Sequence, residues 1–182
     1  MNCDIRFAAQ GAKFTAAFPR RGLIAEFGIS WALPRVTGVG NAMDVLLSGR
    51  VFLADEAKSL GIVQQVYHPD SLMSEAIEYA TDMAINVPPN SMAIIKQQVL
   101  RHQHADAETA LTESNRLMIM STNAKLNPDF KEGVDSFVEK RRPNFKPLNL
   151  DSPMQKLREE LFQQTLENES LKAALKAARS KL

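Results

Sequence analysis

Glu26 is the residue whose type and setting point most directly to acid–base chemistry. It lies in Gly22-Leu-Ile-Ala-Glu-Phe-Gly28 and is the only ionisable residue between Arg21 and Arg35. A carboxylate among apolar neighbours has its pKa raised toward the working range of a general base. Composition also allows a plain alternative, a solvent-facing glutamate at a helix N-terminus. Other chemistries find less footing. His102 and His104 stand two apart in a helical stretch, so they point from different faces and read as solvated histidines rather than shared metal ligands. Gly38-Val39-Gly40 lacks the third glycine and the leading strand of a dinucleotide loop, and suits a turn between helices. No Gly-x-Ser-x-Gly elbow is present.

The elements that must position Glu26 follow from hydrophobic period. Ile5, Phe7 and Ala9 alternate with Asp4 and Arg6, and Phe14, Ala16 and Phe18 with Lys13 and Thr15; Gln10-Gly11 between them suits the turn of a hairpin. An isolated hairpin is marginal in water, so both strands need neighbours. Downstream the spacing predicts helices over 28–33, 41–48, 54–60, 71–86, 90–103, 107–122 and 128–140, with one short strand at 63–67. Asn41 suits an N-cap, Gly49 and Gly61 helix stops, and Pro88, Pro89 and Pro128 helix starts.

Bulk composition narrows the function classes. The chain has 182 residues, with 22 Lys and Arg against 21 Asp and Glu, which disfavours a polyanion or nucleic-acid binder. One cysteine, Cys3, cannot form an intramolecular disulfide, and three scattered histidines match no zinc spacing. Mean hydropathy is −0.22 and apolar runs stay far below the ~18 residues of a membrane span. No charged and then apolar opening marks a secretory signal.

Arg141 to Pro153 carries three prolines and reads as a linker, with 148–153 the boundary between a body over 1–147 and a helix over 154–182. Ser152-Pro153-Met154-Gln155 has the pattern of a helix start. Met154, Leu157, Leu161, Gln164, Asn168, Leu171, Leu175, Ala178 and Leu182 then keep a 3-4 spacing, while Phe162 and Leu166 fall off it. A coiled coil and a helix packed on its own body or solvated both fit that pattern, and such a helix would reach about 45 Å. In either case its last turn, at Leu182, is expected to be exposed, with Leu171 and Leu175 making what contact there is.

The runs Cys3-Asp-Ile-Arg-Phe-Ala, Ala12-Lys-Phe14, Arg21-Gly-Leu-Ile-Ala-Glu-Phe-Gly28 and Leu33-Pro-Arg35 resemble the crotonase, or enoyl-CoA hydratase/isomerase, superfamily. The resemblance continues through Ala42-Met-Asp-Val-Leu-Leu-Ser-Gly49, Ala54-Asp-Glu-Ala-Lys-Ser-Leu-Gly-Ile-Val63 and Glu132-Gly-Val-Asp-Ser-Phe-Val-Glu-Lys140, in unbroken order over about residues 2–147. It implies an α/β fold: the second half of a ββα spiral, mostly helical, with a long C-terminal helix, in a trimer-based homo-oligomer. It also implies that two backbone N–H groups holding a thioester enolate align ahead of Met1, together with the strands expected to cover Ile5, Phe7, Phe14 and Phe18.

Within that resemblance one of the two hydratase glutamates aligns ahead of Met1 and the other with Phe18, while the single acid of the Δ3,Δ2-enoyl-CoA isomerases aligns with Glu26. The implied activity is a shift of a 3-enoyl to a 2-enoyl double bond with Glu26 as proton shuttle; hydration, and a non-catalytic oligomerising module, are the alternatives. Phe137 and Lys140 align with the nucleotide end of coenzyme A, which enters as part of the acyl-CoA substrate, with no separate cofactor. The chain closes on Ser180-Lys181-Leu182, a tripeptide read by the peroxisomal import receptor. The expected location is the peroxisomal matrix, or the cytoplasm for a bacterial source, with neither nucleic acid nor a membrane span involved.

Overall fold

The computed structural model describes residues 3–148 and, beyond them, residues 151, 156, 159, 160 and 163. It divides into two compact units, Met1–Ala80 and Thr81–Leu182. Residues 149, 150, 152 and 153 of the expected linker and most of the expected C-terminal helix lie outside the described residues, as does the tripeptide Ser180, Lys181 and Leu182.

The first unit opens with β1 (Phe7–Ala9) and β2 (Lys13–Thr15). The turn at Gln10-Gly11 forms, with the Ala12 N–H on the Ala9 carbonyl at 3.0 Å and Gly11 at φ 79°. The expected hairpin does not. β1 pairs in parallel with β4 (Gln65–Tyr67), and β2 pairs antiparallel with β3 (Val51–Leu53), Phe14 opposite Phe52. Alternation marks a strand but carries no information about its partner, and here the long-range partners outcompete the local one. They also supply cover that the sequence did not reveal. Phe7 meets Tyr67 and Tyr79 edge to face at 5.6 and 5.3 Å, Phe14 stacks on Phe52 at 5.7 Å, and Phe14 and Phe18 pack on the core.

Between the strands come a 3₁₀ turn at Pro19–Arg21, α1 (Ile29–Thr37), α2 (Val39–Ser48) and α3 (Ala54–Ser59). α1 runs past Pro34, where the sequence pattern stops the helix. The Thr37 hydroxyl on the Leu33 carbonyl at 3.0 Å and the Gly38 N–H on the Pro34 carbonyl at 2.9 Å close its last turn. Gly38 ends α1 and begins α2, so the Gly-Val-Gly turn is as expected. Asn41 is not an N-cap; it lies inside α2 and donates to the Thr37 carbonyl at 2.9 Å. Half of the buried apolar core is alanine (Ala8, Ala16, Ala42, Ala54, Ala57), set among Leu33, Val45, Phe52, Ile62 and Val63. Small side chains let backbones approach closely, so this core is held by contact rather than by large buried surfaces.

α4 (Leu72–Asn86) leads into the second unit, which holds α5 (Pro89–His102), α6 (Ala107–Ser121) and α7 (Pro128–Val138). Pro89 and Pro128 sit at the first helical turn, and Asp106 caps α6 by accepting the Thr109 N–H at 2.7 Å. Buried Asp129 accepts from the Asn90 amide at 2.9 Å and ties the starts of α7 and α5 together. The result is a mostly helical α/β fold.

Gly49 ends α2 at φ 54°, where a Cβ would stand 3.1 Å from side-chain carbons of Pro19 and Arg20 and 3.3 Å from the Ala16 carbonyl. Gly49→Ala is expected to destabilise the protein by about 1–2 kcal/mol. An unchanged urea midpoint would show that this corner relaxes freely.

Candidate active site

Glu26 stands on a short loop pinned at both ends. Upstream, the 3₁₀ turn closes through the Gly22 N–H on the Pro19 carbonyl at 3.1 Å, and Arg20 Nε donates to the Ser48 carbonyl at the end of α2 at 3.0 Å. Downstream, the Ile29 N–H donates to the Glu26 carbonyl at 3.1 Å. The two residues inside that turn, Phe27 and Gly28, have φ of 53° and 70°, the left-handed pair of a type I′ turn. α1 starts at once, with the Trp31 and Ala32 N–H groups on the Gly28 carbonyl, both at 3.1 Å.

The sequence reading has apolar neighbours closing over the carboxylate. The structure turns them outward instead: Leu23, Ile24 and Phe27 are exposed, Phe27 to 96 %, while Glu26 is half-buried. Along α1, Trp31 is half exposed and carries the Arg35 guanidinium 3.9 Å from its ring centroid. Glu26 therefore lies in a stretch whose large apolar side chains are exposed rather than closed over it. Phe18 packs against the core and offers no proton.

Phe137 and Lys140 come together in the second unit, at the end of α7. Phe137 is 85 % exposed. Lys140 follows the helix in the left-handed region at φ 52°. The Lys140 N–H on the Phe137 carbonyl at 3.3 Å and the Arg141 N–H on the Ser136 carbonyl at 3.0 Å make the two bonds of a Schellman ending, normally built on glycine. An exposed aromatic face beside an ammonium can serve a purine and a phosphate.

Sequence spacing did not single out the clamp that fixes this end. Arg141 grips Glu132 through two nitrogens, at 2.7 and 2.9 Å, and reaches Glu139 at 2.5 Å, while the Asn144 N–H donates to Glu132 at 2.7 Å. Nine residues separate Arg141 from Glu132, and the chain must reverse beyond α7 for them to meet. His102 is also a correction. It is not solvated, because Glu113 on α6 accepts from it at 3.3 Å and from Arg101 at 2.5 Å. The described residues contain no cluster that could hold a metal ion and no helix long and apolar enough to cross a membrane.

Residues 1–148 match the family model described as enoyl-CoA hydratase/isomerase. The chain is 33% identical over 143 residues to the enoyl-CoA hydratase ACTT3 of Alternaria alternata, covering 78% of this chain and 47% of that protein. It is 34% identical over 142 residues to the 1,2-epoxyphenylacetyl-CoA isomerase of Escherichia coli (strain K12), covering 78% and 53%. Among solved structures, an enoyl-CoA hydratase from Bacillus anthracis superposes with a TM-score of 0.73 at 30% identity, over 79% of this chain and 54% of the other. The chain spans about half the length of the curated relatives it matches.

The Glu132 carboxyl is held well below the ordinary carboxylate range, at about 2, first by Arg141 and then by the Asn144 N–H. A lowered carboxylate adds stability that is complete above its unfolded pKa of about 4.5 and is lost as pH falls through the folded value. The segment after α7 is therefore expected to loosen as pH falls from about 4.5 through 2. The Asn144 amide resonance should follow that titration. In Glu132→Gln it should stay flat, and a retained transition would assign the effect to another group.

Proposed function

Because the chain belongs to the enoyl-CoA hydratase/isomerase family, we propose that it acts on enoyl-CoA thioesters as an isomerase, moving a double bond from the 3- to the 2-position. The observation that carries this reading is Glu26: a half-buried carboxylate on a turn pinned at both ends, in a stretch whose apolar side chains Leu23, Ile24 and Phe27 are exposed, with Phe18 packed on the core. A double-bond shift needs one group that takes a proton from the α carbon and returns it at the γ carbon, with the enolate held meanwhile. Hydration needs a second acid or base to activate water, and Phe18 stands in the place where the resemblance puts one. The names of the relatives include both a hydratase and an isomerase, so the choice between them rests on these two residues.

The enolate-holding N–H groups would come from the part of the relatives that this chain does not span. Lys140 would take a phosphate of coenzyme A as a point charge and Phe137 would offer a stacking face, in a trimer-based assembly. With the relatives' upstream half placed ahead of Met1, Glu26→Gln should lower 3-enoyl-CoA isomerisation by about 100- to 10,000-fold, the range spanned by general acid–base groups. Gln keeps the shape and cannot accept the proton, so a variant with most of its rate would remove Glu26 from the mechanism.

Ser180-Lys181-Leu182 supports a peroxisomal matrix location. A fluorescent protein fused ahead of Met1 should collect in peroxisomes of a eukaryotic cell and become diffuse when Leu182 is deleted. Diffuse signal from both proteins would discard the address.

A further inference from the structure

α5 and α6 form a helical hairpin that leaves a groove of about 260 Å³, walled by Ile94, Ile95 and Gln98 on one side and Leu117 and Met118 on the other, with Asn127 at its end. Two features mark it as unfinished. Ile95 and Met118 are 55 and 56 % exposed although they line a concave surface. Asn127 is 7 % exposed, and its Nδ2 donates to the Ser121 carbonyl at 3.0 Å while its Oδ1 has no partner. An acceptor withdrawn from water without a donor is a cost that an incoming N–H or O–H removes.

We propose that this groove seats the chain's own C-terminal amphipathic segment, residues 154–168, as a third helix against α5 and α6. The described residues of that segment are polar, and their types and spacing indicate which side would face away. Lys156, Glu159, Glu160 and Gln163 are helical and exposed, and their spacing of three, one and three residues puts them on one face. By the same spacing Met154, Leu157 and Leu161 fall on the opposite face with Phe162 on its flank, while Leu166, seven residues after Glu159, falls beside the polar face.

A two-stranded coiled coil needs only a narrow seam, and Phe162 and Leu166 lie outside it. A helix lying between two others is covered over a broader arc, which Phe162 fits. Length agrees as well: α5 and α6 have 14 and 15 residues, and 154–168 is equally long, about 22 Å of helix. The linker after α7 has reach to spare at about 3.3 Å per residue. Chemistry agrees too, because Gln164 and Asn168 interrupt the apolar seam with amide donors of the kind Asn127 Oδ1 lacks. Groove and segment fall in one compact unit, Thr81–Leu182, and the segment lies beyond the 1–148 span of the family match. Residues 169–182 would extend about 20 Å past the groove, so Ser180-Lys181-Leu182 stays clear of it.

Hydrogen exchange on the full 182-residue chain tests this, with sedimentation for mass. In the double variant Leu157→Glu, Leu161→Glu, amides of α5 and α6 should exchange at least tenfold faster, with unchanged mass and unchanged rates over Phe7–Tyr67. Leu161→Ala, too mild to unfold the unit, should move the same amides by a smaller factor. Unchanged exchange in both variants would leave the segment solvated and overturn the assignment. A halved mass with unchanged α5 and α6 would make the segment a seam between copies, and overturn it too. So would a Leu161→Ala effect spread evenly over both units.

Discussion

The parallel pairing of Phe7–Ala9 with Gln65–Tyr67 is the closure on which the first unit depends. Arg6 anchors it across 58 residues: its N–H donates to Gln64 Oε1 at 2.6 Å, and its carbonyl accepts the Gln64 N–H at 2.8 Å. Its Nε adds a bond to the Ile62 carbonyl at 2.5 Å. Inside the loop so closed lie β2, β3, α1, α2, α3 and the Glu26 turn. Three-residue strands carry few ladder bonds, so the entropy of closing that loop must be offset by the core that forms within it. Arg50 contributes at the rim, bridging Asp44 on α2 and Glu56 on α3 at 2.6 and 2.5 Å. These charges are substantially exposed, so the pair orients the corner more than it stabilises it.

The same closure explains why the site sits where it does. The 3₁₀ turn at Pro19–Arg21 is bound to the end of α2 through Arg20, and Gly49 is glycine because those side chains press on it. Glu26 is therefore located by a chain of local contacts running from α2, with no cover from its own apolar neighbours. Phe18, four residues upstream of Gly22, turns the other way into the core. Two residues close in sequence thus serve opposite needs, one filling volume and one presenting a carboxylate.

Helices were legible in the sequence because amphipathic spacing, proline starts and glycine stops are local signals. α4, α5 and α6 fall within a residue of their expected limits. Pairing was not legible. The Ile5–Phe18 pattern announces strands, yet β1 and β2 choose Gln65–Tyr67 and Val51–Leu53, and the latter run of three residues is too short to show a period. Glu26 was legible because it is isolated among apolar residues, but the direction those residues face is set by tertiary packing. The Glu132–Arg141 clamp depends on a chain reversal after α7 and left no spacing to read.

Backbone conformation adds a clue that residue types alone could not. Two non-glycine residues take positive φ among those described, Phe27 at 53° and Lys140 at 52°. An L-residue there costs about 1–2 kcal/mol against an ordinary conformation, and glycine would fit both places, a type I′ turn and a helix ending, without that cost. Neither side chain compensates by burial, since Phe27 is 96 % exposed and Lys140 is exposed as well. Stability alone therefore does not account for a phenyl ring or an ammonium at these points. One follows directly on the candidate base and the other is the candidate phosphate ligand. Strain of this kind concentrates at functional positions. Here it falls beside Glu26 in one unit and at Lys140 in the other, a reason to test both positions that does not depend on the family match.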